Sequence, residues 1–279
     1  MKIAAITLAA IVLLVTLVLV GAGYRWRSRT RAAVAALEAG AAAPSPERFD
    51  TAQLAGLPAP VRRYLLAVLP AGQPLARIVH LTQEGEFLTR PDVNGWGPFT
   101  ATQDFRVKPA GFVWDARISM MAGIAVRVRD GFAGGRGAMH GAALGLITVV
   151  HQEGTGEIAV ASLMRYLAEA CWFPTALLPA SGVVWAPVDD STARATLTVG
   201  GASATVDFHF GADGLVSRVS ALRPRAVGAG SVPTPWQGRW TEYGVLGGVK
   251  IPVAGEVEWQ LPEGPQPYWR GRITSVEYR

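Results

Sequence analysis

The sequence lacks most of the residue patterns that would identify a reaction. Cys171 is the only cysteine, so no disulfide can form within the chain. The four histidines show none of the close spacings that zinc motifs use. No Gly-x-Ser-x-Gly stretch is present, and the glycine-rich segment 131–137 lacks the ending of a phosphate-binding loop. We therefore predict no catalytic residue, no metal site and no cofactor.

Acidic residues are missing from the N-terminal end of the chain. None precedes Glu38, whereas five basic residues do: Lys2, Arg25, Arg27, Arg29 and Arg31. Since the whole chain has 26 basic and 21 acidic residues, its formal charge of +5 resides in this segment and the remainder is neutral. A nucleic-acid-binding domain carries positive charge on its fold. We predict no binding to nucleic acid.

The segment Ile3–Tyr24 is apolar apart from two threonines. A helix of about 20 such residues can span a bilayer. A cleaved signal peptide is the alternative, but its apolar core normally covers ~7–15 residues, which is shorter than this run. We predict a transmembrane anchor over residues 1–24 and a single-pass protein of the cell membrane.

Residues 25–43 form a basic flank followed by an alanine-rich stretch, which predicts a helical stalk that ends before Pro44. The four arginines of the flank suit contact with anionic membrane lipids. The positive-inside rule places the following domain on the cytoplasmic side. The other side stays open, because long domains can cross a membrane regardless of flanking charge.

From Arg77 onward, apolar residues recur with a period of two, as in Ala204, Val206, Phe208 and Phe210. We predict strands at 77–87, 99–107, 111–119, 124–132, 137–140, 146–151, 183–188, 193–199, 202–210, 215–222, 238–245, 250–261 and 268–278. The short turns between them indicate an antiparallel meander. So many strands require a strongly curved sheet or a barrel.

One helix interrupts the strands, within Ser162–Pro179. Its apolar residues recur at helical spacing, and Arg165 and Glu169 are four apart, so they can form an ion pair. We predict one mainly β domain over residues 44–279, in which a strongly curved antiparallel sheet, a half-barrel, is capped by this central helix. The helical lid is predicted at residues 162–178.

Several stretches resemble an uncharacterised bacterial family of membrane-anchored proteins of unknown function. They are Leu57-Pro58 with Val61–Leu65, Gln83–Phe87, Trp96–Phe99 with Gln103 and Phe105, Phe112–Trp114, Arg165–Ala176, and Ile251-Pro252 with Glu256 and Trp259. More loosely, the layout resembles the lipoprotein-carrier (LolA/LppX-like) half-barrel. That resemblance implies binding of acyl chains or another apolar molecule in the hollow, and it transfers no catalytic residue.

Nine tryptophans exceed what a thin core needs, so they suggest a cavity that holds a ligand. The candidate ligand-binding residues are Trp96, Phe99, Phe105, Trp114, Arg165, Glu169, Trp172, Trp185 and Trp259. Trp236, Trp240 and Trp269 complete the aromatic set. For each ring alone, packing in the core is the alternative, and the two charged residues can be a simple ion pair on the helix.

We therefore predict a membrane-anchored protein that binds a lipid or another hydrophobic ligand on the concave face of its sheet, without catalysis. The alternative is a scaffold in a membrane assembly. A hydrolase is the third possibility, because Glu84 with Glu86 and Glu256 with Glu258 are pairs of acids on strands. Acids two apart on a strand usually mark its solvated side, however.

Overall fold

A computed structural model describes residues 2–42, 47–120, 124–228 and 230–279. The predicted break at Pro44–Pro46 lies outside this part of the chain. The α-helices are α1 (Lys2–Ala39), α2 (Ala59–Val68) and α3 (Glu157–Glu169). Short 3₁₀ segments cover Thr51–Leu54, Pro91–Val93, Ala170–Trp172, Pro174–Leu177 and Pro179–Ser181.

Strands make up most of the described chain after α2. They are β1 (Ile78–Arg90), β2 (Gly95–Arg106), β3 (Gly111–Ser119), β4 (Ala125–Ala133), β5 (Arg136–Ala143), β6 (Ile147–Gly154), β7 (Val184–Asp189), β8 (Thr192–Val199), β9 (Ala202–Phe210), β10 (Val216–Val227), β11 (Gly230–Leu246), β12 (Val249–Leu261) and β13 (Gly264–Tyr278). All thirteen predicted strands form. Strand β11 begins well before its predicted start. The prediction missed its first half because that half contains Pro233 and Pro235, which cannot donate to a ladder.

The strands form one antiparallel sheet that does not close into a barrel. Its order is β6-β5-β4-β3-β2-β1-β13-β12-β11-β10-β9-β8-β7. The first strand therefore pairs with the last in the centre, and β6 and β7 are the two edges. The predicted mainly β fold with a curved antiparallel sheet is confirmed. The chain passes from edge strand β6 to edge strand β7 through α3, which crosses the concave face.

The lid differs from its predicted bounds of 162–178. Helix α3 begins at Glu157. Gly156 directly precedes it with a φ of 75°, and it separates the helix from strand β6. The helix ends at Glu169, and short 3₁₀ segments continue to Ser181, because Pro174 and Pro179 cannot extend an α-helix. The predicted single helix is thus an α-helix followed by a chain of tight turns.

Helix α1 packs along the convex face of the sheet with its C-terminal half. The indole Nε1 of Trp26 and the Oγ1 of Thr30 donate to the carboxylate of Asp115 on β3, at 3.0 and 2.6 Å. Further along, Arg106 donates to the Leu37 carbonyl at 3.2 Å. The segment predicted as a stalk therefore lies against the domain. Its first half is apolar and exposed, and α1 is long and apolar enough to cross a membrane.

Candidate ligand-binding cavity

A cavity of about 380 Å³ lies between the concave face and α3. This volume falls in the range of small-molecule sites, ~300–1,000 Å³. Apolar surface dominates the wall, and five indole rings contribute to it: Trp114, Trp172, Trp236, Trp240 and Trp269. Half-buried residues such as Phe87, Met139 and Val150 line the cavity toward its edges. The tryptophans therefore line a hollow and do not fill it.

Glycines in two adjacent strands make room for the rings on the cavity floor. Gly85, Gly271 and Gly255 are register partners across β1, β13 and β12, and Trp240 on β11 pairs with Gly255. A Cβ atom on Gly255 would lie 2.6 Å from Cζ3 of Trp240, and one on Gly271 would lie 2.6 Å from Cζ2 of Trp269. Since both distances are below van der Waals contact, the two indoles can lie flat only over glycine.

A chain of hydrogen bonds runs from the sheet to the lid beside the cavity. Trp114 Nε1 donates to Gln83 Oε1 at 2.8 Å, and Gln83 donates to Gln103 Oε1 at 3.2 Å. Gln103 in turn donates to the carboxylate of Glu169 on α3 at 2.8 Å. Both glutamines are buried, so each bond satisfies a polar group that burial would otherwise penalise. The network fixes the height of the helix above the sheet.

Arg165 completes this network with two carboxylates. Its Nε donates to Glu169 at 2.8 Å and its Nη1 donates to Asp130 on β4 at 2.6 Å. The guanidinium also lies over the rings of Phe112 and Trp114, with its carbon 5.2 and 4.9 Å from their centroids. Burial lowers the pKa of Arg165, but the two carboxylates outweigh that effect and raise it. Burial raises the pKa of Glu169, against the opposing effect of Arg165.

A second arginine lies at another part of the wall. Arg223 on β10 donates from Nε to the Ala161 carbonyl on α3 at 3.2 Å, and from Nη1 to the hydroxyl of Tyr268 at 3.2 Å. Its guanidinium carbon lies 5.2 Å from the ring centroid of Trp236 and 5.7 Å from that of Trp259. Trp236 also donates to the Tyr268 hydroxyl at 2.9 Å. A positive group is therefore embedded among aromatic rings.

Four of the predicted ligand-binding residues line the cavity: Trp114, Arg165, Glu169 and Trp172. The predicted ion pair between Arg165 and Glu169 forms. Phe99 lies behind the wall, with its ring centroid 6.1 Å from Trp114. Trp259 stacks on Tyr268, which itself lines the cavity, at 5.9 Å.

The remaining three predicted residues lie away from the cavity wall. Phe105 packs in the core against Phe173, with ring centroids 4.2 Å apart. Trp185 packs against Phe208, with ring centroids 5.1 Å apart, and Trp96 lies under Arg270 among the charged side chains of the convex face. Trp96 and Phe99 are three apart on β2, and such residues point to opposite faces of a strand.

Three of the four acids considered for hydrolysis form ion pairs with arginines. Arg270 contacts Glu86 at 2.5 Å, and Arg239 contacts Glu256 and Glu258 at 2.6 and 2.7 Å. Glu84 shares the convex groove with Glu86. These acids therefore stabilise the strand pairs that carry them. Within the described ranges, no three His, Cys, Asp or Glu side chains are grouped so that they could hold a metal ion.

A family model described as a family of unknown function, DUF6920, matches residues 55–278. The chain belongs to this family. The predicted membership of an uncharacterised family of unknown function is thereby confirmed. No curated protein matches the DUF6920 chain in sequence.

Two solved structures align with this DUF6920 protein, each over 73% of its length and 86% of the other chain, at 10% identity. One is a DUF1329 family protein from Desulfovibrio piger, with a TM-score of 0.41. The other is a LolA superfamily protein from Nitrosomonas europaea, with a TM-score of 0.36. The LolA-like half-barrel was the fold that the sequence resembled.

Several residues in or beside the DUF6920 cavity were missing from the predicted site. Gln83 and Gln103 carried a usable signal, because each is a polar residue at an inward position of a strand whose inward neighbours are apolar. Glycines within strands, such as Gly255 and Gly271, are a second signal of close packing. Arg223 carried no such signal, since nothing near it in the sequence distinguishes it from other strand arginines.

Proposed function

We propose that this DUF6920 protein binds a lipid or another hydrophobic ligand, without catalysis, in the cavity beneath α3. The observation that carries the proposal is an apolar cavity of about 380 Å³ whose wall includes five indole rings. A wall of this kind favours a hydrophobic ligand, because covering apolar surface with an apolar molecule removes that surface from water. A scaffold, the alternative function, needs no such hollow.

The arrangement of charged groups supports binding rather than hydrolysis. Arg165 holds both carboxylates of the cavity wall, Asp130 and Glu169, in ion pairs. Buried ion pairs of this kind position the elements that carry them, here α3 over β4. The network therefore serves to keep the lid at a fixed distance from the sheet, and the space beneath it remains open for a ligand.

We further propose that α1 anchors the domain in the cell membrane and that the domain lies on the cytoplasmic side. The support is the apolar exposed first half of α1 and the arginines that follow it. Fusions of alkaline phosphatase and of green fluorescent protein to the C-terminus test the side. We expect fluorescence and no phosphatase activity, and the reverse result would place the domain outside. N-terminal sequencing tests whether the anchor is retained.

Ligand binding is tested on the full chain held in amphipol, which leaves no free detergent to compete. The measurement is equilibrium binding of tritiated 1-hexadecanol by scintillation proximity. Ala168 lines the cavity, so Ala168→Phe should fill part of it and weaken binding at least about tenfold, the effect of losing about 1.4 kcal/mol.

Ala186→Phe adds the same ring on the edge strand β7, where Ala186 is exposed, and should bind like the wild type. Thermal melting of both variants shows whether the fold is retained. Absence of saturable binding by the wild-type chain, or equal binding by both variants, would contradict the proposed function.

A further inference from the structure

We propose that Arg223 binds an acidic head group, so that the ligand is an anionic amphiphile. This inference rests on the proposed function and specifies the chemical class of its ligand. It starts from a difference between the two arginines of the cavity. Arg165 is neutralised by Asp130 and Glu169, whereas Arg223 forms no ion pair with any carboxylate in the part of the chain that the structure describes.

The hydrogen-bonding capacity of Arg223 is only partly used. A guanidinium has five N–H donors, and two of its nitrogens, Nε and Nη1, each donate once, to Ala161 and Tyr268. Neither acceptor carries a charge. A carboxylate or phosphate group would supply both the missing charge and acceptors with matching fork geometry.

The position of Arg223 suits a head group at the edge of the cavity. Arg223 and Tyr268 are half-buried, whereas Trp172 and Trp240 are buried. An amphiphile whose tail lies among the buried indoles would therefore leave its charged end beside Arg223. The rings of Trp236 and Trp259 hold the guanidinium in place before the ligand arrives, which lowers the entropic cost of binding.

The test compares tritiated hexadecanoate with tritiated 1-hexadecanol on the full chain in amphipol, in alkaline buffer where the carboxyl group is ionised. Arg223→Gln should weaken hexadecanoate binding about tenfold or more, and it should weaken hexadecanol binding less, because the alcohol carries no charge. Arg225→Gln is the matched control, because Arg225 lies two residues further on β10, donates to Thr234 and does not line the cavity.

Equal loss for the two probes, or no loss, in Arg223→Gln would overturn the role of Arg223 while hexadecanol binding by the wild type still supports the proposed function. Arg223→Lys, which keeps the charge, should retain part of the preference for hexadecanoate. If the wild-type chain binds neither probe, the proposed function itself fails.

A different surface carries a second inference: we infer that the β5–β6 hairpin contacts the bilayer beside α1. Four apolar side chains are exposed in this hairpin, Leu144, Leu146, Ile147 and Val149, with Ile147 66% and Val149 56% accessible. Such a cluster on a soluble surface usually marks an interaction site.

The position of the hairpin along α1 identifies the partner as a lipid surface. Its turn lies against the end of the apolar segment, since a Cβ atom on Gly145 would be 3.8 Å from the Ala22 carbonyl oxygen. Leu146 shares a crevice with Arg25 and Trp26, the residues at which the apolar segment gives way to the basic flank. Basic residues directly after an apolar helix are typical of the membrane interface. The exposed side chains of the hairpin therefore lie at the same depth as the head groups.

The experiment uses the full chain in liposomes, with a fluorescent NBD label on one introduced cysteine and a spin-labelled lipid as quencher. Cys171 is buried and burial raises the pKa of its thiol, so it stays unlabelled. The labelled positions are Ile147→Cys in the hairpin and Leu13→Cys within α1. Val188→Cys on the edge strand β7 is the control, because its side chain is exposed. It lies near Asp190, whose carbonyl accepts a hydrogen bond from Arg63 of α2.

We expect the spin label to remove most of the fluorescence at Ile147→Cys and Leu13→Cys but not at Val188→Cys. Quenching at Leu13→Cys alone would overturn the hairpin contact and leave the anchor intact. Quenching at none of the three would overturn both the contact and the anchor.

Discussion

The side-chain amide of Gln103 donates a 2.8 Å hydrogen bond to the carboxylate of Glu169, and this bond joins strand β2 to the helix above it. Around it, Gln83 and Trp114 extend the network along the sheet, and Arg165 extends it to β4. Four members of this network, Trp114, Asp130, Arg165 and Glu169, line the cavity. The polar network and the apolar cavity therefore form one structural unit. We expect changes in the network to alter both the stability of the protein and its binding of ligand.

Removal of Arg165 is expected to destabilise the protein strongly. Arg165→Ala would leave the buried carboxylates of Asp130 and Glu169 without a counter-charge, which typically costs about 3–5 kcal/mol. The free energy of unfolding in urea measures the effect. Arg194→Ala is the control, because Arg194 pairs with Asp207 on the surface, where such pairs contribute about 0–1 kcal/mol. A loss no larger than that of the control would show that the triad is dispensable.

The stability of the domain should depend on pH through His80. Its Nδ1 lies 2.8 Å from Asp104 Oδ1, and this hydrogen bond raises the pKa of His80 above 6.5, with burial opposing the shift. Because the charged form is favoured in the folded state, the stabilisation is present below pH 6.5 and is lost as the pH rises through the raised pKa.

His80→Gln should remove this part of the pH dependence, and Asp104→Asn should flatten the same window because it removes the acceptor. Urea unfolding at a series of pH values from about 5 to about 9 measures the slopes. Identical slopes for the wild type and both variants would refute this role of His80.

Adding a methyl group to a glycine on the cavity floor should lower both the stability of the protein and its binding of ligand. Gly255→Ala would place its Cβ against the indole of Trp240 and 2.9 Å from the Arg239 carbonyl oxygen, so the ring must move toward the cavity. Overpacking of this kind costs about 1–3 kcal/mol. We also expect weaker binding of 1-hexadecanol, because the displaced ring occupies ligand space.

Gly230→Ala is the matched control for this substitution. Among the described residues, leaving out its two chain neighbours, none comes within 4 Å of a Cβ on Gly230, so the change should be neutral for binding and for the free energy of unfolding. Thermal melting and scintillation proximity on the full chain check both variants. If Gly255→Ala behaved like Gly230→Ala, the lack of a side chain at Gly255 would not be what accommodates the Trp240 ring.

Local patterns were sufficient to predict the elements of this fold. Alternation with a period of two located the strands, and short turns indicated their antiparallel pairing, since both signals lie within a few residues. The helical spacing of Arg165 and Glu169 predicted their ion pair for the same reason. The predicted lid begins too late because the first residues of the helix, 157–161, follow no recognisable cap. Gly156 precedes them and makes no side-chain hydrogen bond to the helix.

The cavity wall was only half predictable. Aromatic residues on strands suggested a cavity, but the sequence does not indicate which distant rings lie together. Trp96 and Trp185 lie away from the cavity wall. The network joins Gln83, Gln103 and Asp130 from three strands to a helix far along the chain. Such contacts depend on the register between strands and on the height of the lid, which packing determines.

The sequence by itself determined the strands, the central helix, the apolar N-terminal segment and the neutrality of the domain, because each follows from the order of neighbouring residues. Tertiary structure alone decided that β1 pairs with β13, that α1 lies along the convex face, and that Arg223 has no carboxylate partner among the described residues. Those outcomes depend on groups brought together from distant parts of the chain, where burial and side-chain packing, and not local periodicity, select the partners.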